Sequence, residues 1–144
     1  EYSENLDLLF VILTGQVSLV VNRALTRSFR AMNMDITPDQ FIVMAYLWKD
    51  DRRTQQELCD LTNKDKPSMT RLIDNLEKQN LVSRVADRTD RRNNLIHLTQ
   101  TGKEMENKAG DIALEVVKQA LNGISNEQID TCHVVLKKVL ENIK

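Results

Sequence analysis

The residues best placed to do chemistry lie close together, in the segment 87–102, DRTDRRNNLIHLTQTG. Counting Arg84 just before it, residues 84–92 hold four arginines (Arg84, Arg88, Arg91, Arg92) against two acids, Asp87 and Asp90, so positive charge is local in a chain whose net charge is -1. Guanidinium groups offer planar, forked donors suited to phosphates and to the edges of bases. Such a cluster binds an anion, with a few placed contacts. Elsewhere the sequence has no glycine-rich phosphate loop, no His/Cys/acid set at metal-ligand spacing and no nucleophile paired with a base. The reading is therefore not an enzyme, with no cofactor and no metal.

A charged turn needs a frame, and the flanking residues supply one. Residues 81–86 and 94–98 are β-prone runs on either side of the turn, which predicts a hairpin, and Thr99 caps the helix that follows. Upstream, Thr54-Gln55-Gln56-Glu57 is a capping box opening a short helix to about Leu61; residues 62–64 make a tight turn; Asp65 caps a second helix running to about Gln79. Pro67 falls in its first turn, where a missing N–H is tolerated. This is helix-turn-helix geometry. On the second helix Met69, Leu72, Ile73 and Leu76 share the face predicted to be buried, while Arg71, Asp74, Asn75 and Lys78 point the other way, with Ser68 and Thr70 on the flanks.

The two ends of the chain carry long apolar stripes. Residues 4–33 predict a helix whose middle is apolar on more than one face, so it must be covered from several sides. Two further starts combine a cap, a Gln three residues on and a hydrophobic staple: Thr37-Pro38-Asp39-Gln40 between Ile36 and Phe41, and Ser125-Asn126-Glu127-Gln128 between Ile124 and Ile129. Met105, Ala109, Ile112, Val116 and Ala120 form one helical stripe, and Ile129, Cys132, Leu136, Val139 and Ile143 another. Apolar stripes at both ends predict a homodimer interface. Residues 8–21 are too short for the ~20 residues of a membrane span and are broken by Thr14, Gly15, Gln16 and Ser18, and no signal-peptide pattern is present, so a cytoplasmic protein with no membrane contact is expected. Cys59 and Cys132 are expected to be core residues, since neither has cationic neighbours that would make a reactive thiolate.

With 41% hydrophobic and 28% charged residues and only 4 glycines, the 144-residue chain suits one mainly helical domain with a small β-hairpin. A helix-turn-helix followed at once by a charged hairpin is a winged helix. Here the sequence resembles the MarR family of bacterial transcriptional regulators, in "KPSMTRLIDNLEKQNLV" and above all in the hairpin "DRTDRRNNLIHLTQTG" with its Leu-Thr-x-x-Gly. One departure is Asn80, where the family usually has Gly; Asn tolerates a left-handed helix end, so the turn should survive.

The resemblance implies a winged helix-turn-helix over residues 35–98 and dimerisation helices at 1–34 and 99–144, all within a single domain 1–144. It implies double-stranded DNA as partner, read by a two-fold dimer at a pseudo-palindromic operator with half-sites about one helical turn, ~10 bp, apart. Ser68, Thr70 and Arg71 are candidates for base contacts in the major groove, and Lys66 with the helix N-terminus for phosphate. In the family the wing enters the minor groove with an Arg held by an Asp two positions earlier, which maps onto Asp90 and Arg92; Arg88 and Arg91 are further phosphate or groove contacts, and Thr54 a backbone contact. The function implied is that of a repressor released by a small-molecule or oxidative signal. The alternative is a helical module that binds a protein or small ligand without DNA, which the near-neutral charge favours.

Overall fold

The computed structural model describes residues 6–90 and 94–143. Its elements run α1 (Leu6–Ala31), α2 (Pro38–Lys49), β1 (Arg53–Thr54), α3 (Gln55–Thr62), α4 (Lys66–Lys78), β2 (Val82–Ala86), β3 (Asn94–Leu98), α5 (Gln100–Glu104), α6 (Glu106–Ala120) and α7 (Asn126–Ile143). Caps set the starts as the sequence predicts. Thr37 Oγ1 accepts from the Gln40 amide (3.1 Å) while Gln40 Oε1 accepts from the Thr37 amide (3.0 Å), and the same reciprocal pair joins Ser125 and Gln128 ahead of α7. Asparagine sets the stops. Asn33, Asn63 and Asn80, after α1, α3 and α4, all have φ between +57° and +59°, a conformation that Asn adopts more readily than other non-glycine residues.

Strand β1 is absent from the sequence reading. Two residues have no period to detect, and their partner is distant: Arg53 pairs with Ile96 and Thr54 with Leu95, giving an antiparallel sheet in the order β1-β3-β2. Thr54 is thereby both the end of a strand and the cap of α3. Its hydroxyl accepts from the Glu57 amide (3.1 Å) and donates to Glu57 Oε1 (3.3 Å), so Glu57 answers the hydroxyl where a full capping box would have it answer the backbone.

Helix α2 lies at the centre, with Val43, Met44 and Leu47 fully buried beneath Phe29 of α1, Leu58 of α3 and Ile73 of α4. Phe41 links Phe29 (ring centroids 5.5 Å) to Trp48 (5.8 Å, edge-on). Buried Gln40 spends its amide on a joint between α2, the end of α4 and the loop that follows α1: Nε2 donates to Gln79 Oε1 (2.9 Å), and Gln79 Nε2 donates to the Asp35 carbonyl.

The terminal helices divide as their stripes do. On α6, Ala109, Ala113 and Val116 are buried, and the helix packs along α1. On α7 no residue is buried, and Leu136, Leu140 and Val135 stand exposed. Cys132 shares that exposure, contrary to the core position expected of it, because helical spacing of apolar residues does not say what, if anything, in the same chain covers them. Helix α1 exposes Leu8–Leu13, Val17, Leu19 and Val20. Over Asp7–Ala31 it is long and apolar enough to cross a membrane by length and composition, longer than residues 8–21 alone imply. Its last third nevertheless carries Arg23, Arg27 and Arg30 and ends with Phe29 in the core.

Candidate nucleic-acid interface

Helix α3, the Asn63 turn and α4 form the helix-turn-helix. The turn is closed by Thr62 Oγ1 donating back to the Leu58 carbonyl (2.7 Å), and α4 opens with Asp65 Oδ1 accepting from the Ser68 amide (2.8 Å). That backbone bond holds the Asp65 carboxyl below the usual carboxylate range. Lys64, one residue earlier, pairs with Asp39 of α2 at 3.1 Å, so the start of α4 is tied to the start of α2.

Met69, Ile73 and Leu76 anchor α4 in the core, with Leu72 half-buried. Facing out are Lys66, Arg71, Asn75 and Lys78, with Ser68 and Thr70 half-buried on the flanks. Arg71 Nη2 lies 3.5 Å from Ser68 Oγ, one turn back and toward the helix N-terminus. Thr70 Oγ1 accepts from Gln55 Nε2 of α3 at 2.6 Å, a contact that sequence reasoning missed because its partners are fifteen residues apart. Lys66, Ser68, Thr70 and Arg71 thus gather at one end of α4, where the Lys66 ammonium, the Arg71 guanidinium and the helix dipole favour an anion, although Pro67 has no amide proton and that of Ser68 is taken by Asp65.

Arg84 corrects the sequence reading. It was counted with the arginines available to an anion, yet from β2 it reaches two carboxylates of α4: Nη2 to Asp74 Oδ1 at 2.7 Å and Nη1 to Glu77 Oε1 at 2.9 Å. Its own backbone amide also donates to Glu77 Oε2 (3.3 Å), and its side chain is mostly covered. Arg84 therefore clamps the hairpin to α4, and its charge is spent there. The signal was available in principle, since Asp74 and Glu77 lie one turn apart on the helix that leads into the strand. Because both carboxylates are half-exposed, the clamp's worth is modest; Arg84→Met should cost about 1 kcal/mol of stability at low salt and less at high salt, read by urea unfolding at both. An equal loss at both salt concentrations would show that packing of the arginine stem, and not its charge, holds the hairpin.

Beyond the clamp, Asp87 Oδ1 accepts from the Thr89 amide (3.0 Å) and hydroxyl (2.9 Å), which turns the chain and keeps the Asp87 carboxyl low. Arg88 and Asp90 are exposed. Arg91 and Arg92 lie outside the described residues, and with them the Asp90–Arg92 pairing. At the base of the hairpin the Leu98-Thr99-x-x-Gly102 motif takes on a physical meaning. Thr99 Oγ1 caps α5 by accepting from the Gly102 amide (3.0 Å) and donates to the Asn80 carbonyl (2.7 Å), while the Gly102 carbonyl accepts from Trp48 Nε1 (2.9 Å). One tripod joins the end of α4, the wing and α2.

Residues 34–93, which span α2, this helix-turn-helix and β2 but stop short of β3, match the MarR family model. Over that segment the chain is similar to the MarR family. Among curated relatives, the organic hydroperoxide resistance transcriptional regulator of Bacillus subtilis is 25% identical over 124 residues, covering 85% of this chain and 83% of the relative. A cysteine-to-serine mutant of MarR from E. coli, complexed with operator DNA, matches with a TM-score of 0.79 at 25% identity over 89% of this chain and 91% of that one. A MarR-family regulator from Listeria monocytogenes complexed with a 26mer DNA superposes with a TM-score of 0.83 and 24% identity over 92% and 87% of the two chains, which speaks to the fold.

Proposed function

We propose that this chain is a MarR-family, sequence-specific double-stranded DNA-binding transcriptional regulator, and that it represses by occupying a promoter in the cytoplasm as a homodimer. The observation that carries the reading is the polar end of α4, with Lys66 and Arg71 exposed and a charged hairpin clamped beside it. In this reading residues 35–98 hold the DNA, and 1–34 with 99–144 form the dimer. Ser68, Thr70 and Arg71 read base edges, Lys66 and the α4 N-terminus hold phosphate, and Arg88, Asp90, Arg91 and Arg92 serve the wing in the neighbouring minor groove. Thr54 has committed its hydroxyl to Glu57, so what that site offers phosphate is the N-terminus of α3.

For the releasing signal, a cavity of about 450 Å³ between α1 and α2 is lined by Leu19, Arg23, Arg27, Arg30, Thr37 and Asp39, whose carboxylate is paired with Lys64, so that three arginines are left to suit a small anion with an apolar body. Release by oxidation at Cys59 is disfavoured, since burial pushes its thiol up and the nearby Asp60 adds to the effect.

A mobility-shift titration on DNA from the protein's own promoter region, followed by selection of bound genomic fragments, tests the function. Salt-sensitive binding to a pseudo-palindrome is expected. Absence of any such site would leave the reading of a helical module without DNA. Arg71→Ala should weaken the best site by about 10- to 100-fold and relax base preference at one position of each half-site. Unchanged preference would remove Arg71 from the reading set.

A further inference from the structure

Thr70 differs from four of the five other helical threonines among the described residues. Thr14, Thr26, Thr62 and Thr131 each give their hydroxyl proton to the carbonyl four residues back. Thr70 makes no such bond; its oxygen instead receives Gln55 Nε2 at 2.6 Å. A hydroxyl has one proton and two lone pairs, and with one lone pair taken by an amide N–H its proton is left to be given away. The half-buried flank position of Thr70, between Lys66 and the exposed Arg71, directs that proton toward whatever lies against the outer face of α4.

We infer that Gln55, through its hydrogen bond to Thr70, fixes the Thr70 hydroxyl as a donor, so that the base edge it meets must be an acceptor and cytosine is rejected there. In the major groove guanine offers O6 and N7, adenine N7 and thymine O4, whereas cytosine offers only its amino donor. Gln55 is thus a positioning residue that sets specificity through Thr70. The inference rests on the proposed insertion of α4 into the major groove.

Selection of bound sites from a randomised duplex library, using the full chain, tests it. The position that loses preference in Thr70→Val marks the Thr70 contact, and there the wild-type protein should disfavour cytosine by roughly tenfold. Gln55→Leu should flatten that position alone. In Gln55→Glu the carboxylate accepts the Thr70 proton, turning a lone pair of the hydroxyl outward, so the same position should shift toward cytosine or the adenine amino edge. Thermal melting of each variant close to wild type would exclude a merely structural effect, and Thr70→Val reads the contact even if one Gln55 variant folds poorly. Wild-type selection of cytosine at that position, or an unchanged profile in Gln55→Glu, overturns the inference while leaving the regulator reading intact. Failure of the wild-type protein to select any sequence overturns both.

Discussion

Gly102→Ala should destabilise the protein by about 3 kcal/mol or more, measured as a shift in the urea unfolding midpoint. A Cβ at this position would lie 2.1 Å from the Leu81 carbonyl oxygen and 3.1 Å from its carbon, and both are backbone atoms that no rotamer change can remove. The surroundings are held on every side. Leu81 O accepts from the Thr99 amide (3.1 Å), Thr99 Oγ1 donates to Asn80 O, and Gly102 O accepts the Trp48 indole proton. Overpacking of this kind costs about 1–3 kcal/mol by itself, and displacement that breaks the Trp48 bond adds about another 1–3. Out of a typical total of about 5–15 kcal/mol, the loss is large. The glycine is required for space and not for a left-handed backbone. A midpoint within about 0.5 kcal/mol of wild type would mean that α5 slides freely away from the wing base, and that the motif is not the rigid tripod described above.

The second large effect concerns assembly. Leu136→Glu on α7 should leave the fold intact while converting the dimer to monomer, and should weaken operator binding by about a hundredfold or more. The two halves of this expectation come from the same fact: no α7 residue is buried within the chain, so a charge there removes nothing from its core, yet it enters the apolar face proposed to meet a second copy. Linked half-sites lose their mutual advantage once the chains separate. Sedimentation velocity for mass, circular dichroism for fold and mobility shift for binding together decide it. A variant that stays dimeric would place the interface on α1 and α6 without α7; one that turns monomeric yet binds the full operator as tightly would sink the two-fold reading.

What the sequence made legible follows the range of the interactions. Caps at Thr37, Asp65, Thr99 and Ser125 join residues three apart, and the left-handed Asn80 is a property of one residue, so all could be read locally. The hairpin strands carry enough β-prone residues to be placed. Strand β1 could not be read, because two residues acquire their conformation from a partner some forty positions away. The bond between Gln55 and Thr70 depends on how two helices dock, which composition does not encode, whereas the Arg84 clamp had a local cue in the one-turn spacing of Asp74 and Glu77. Cys132 was misplaced for a different reason: periodicity reports an apolar face, without saying what, if anything, in the same chain covers it.

The joint of Gln40, Gln79 and the Asp35 carbonyl is built entirely from neutral amides. Nothing in it ionises, and salt screens it little, whereas any grip on phosphate weakens steeply as ions are added. Rising ionic strength should therefore unload the protein from DNA with this joint between α2, α4 and the α1–α2 loop still closed. Salt and pH have nothing to act on within the joint itself, so a signal meant to change how far apart two reading heads stand would have to reach it through its neighbours, such as the cavity between α1 and α2.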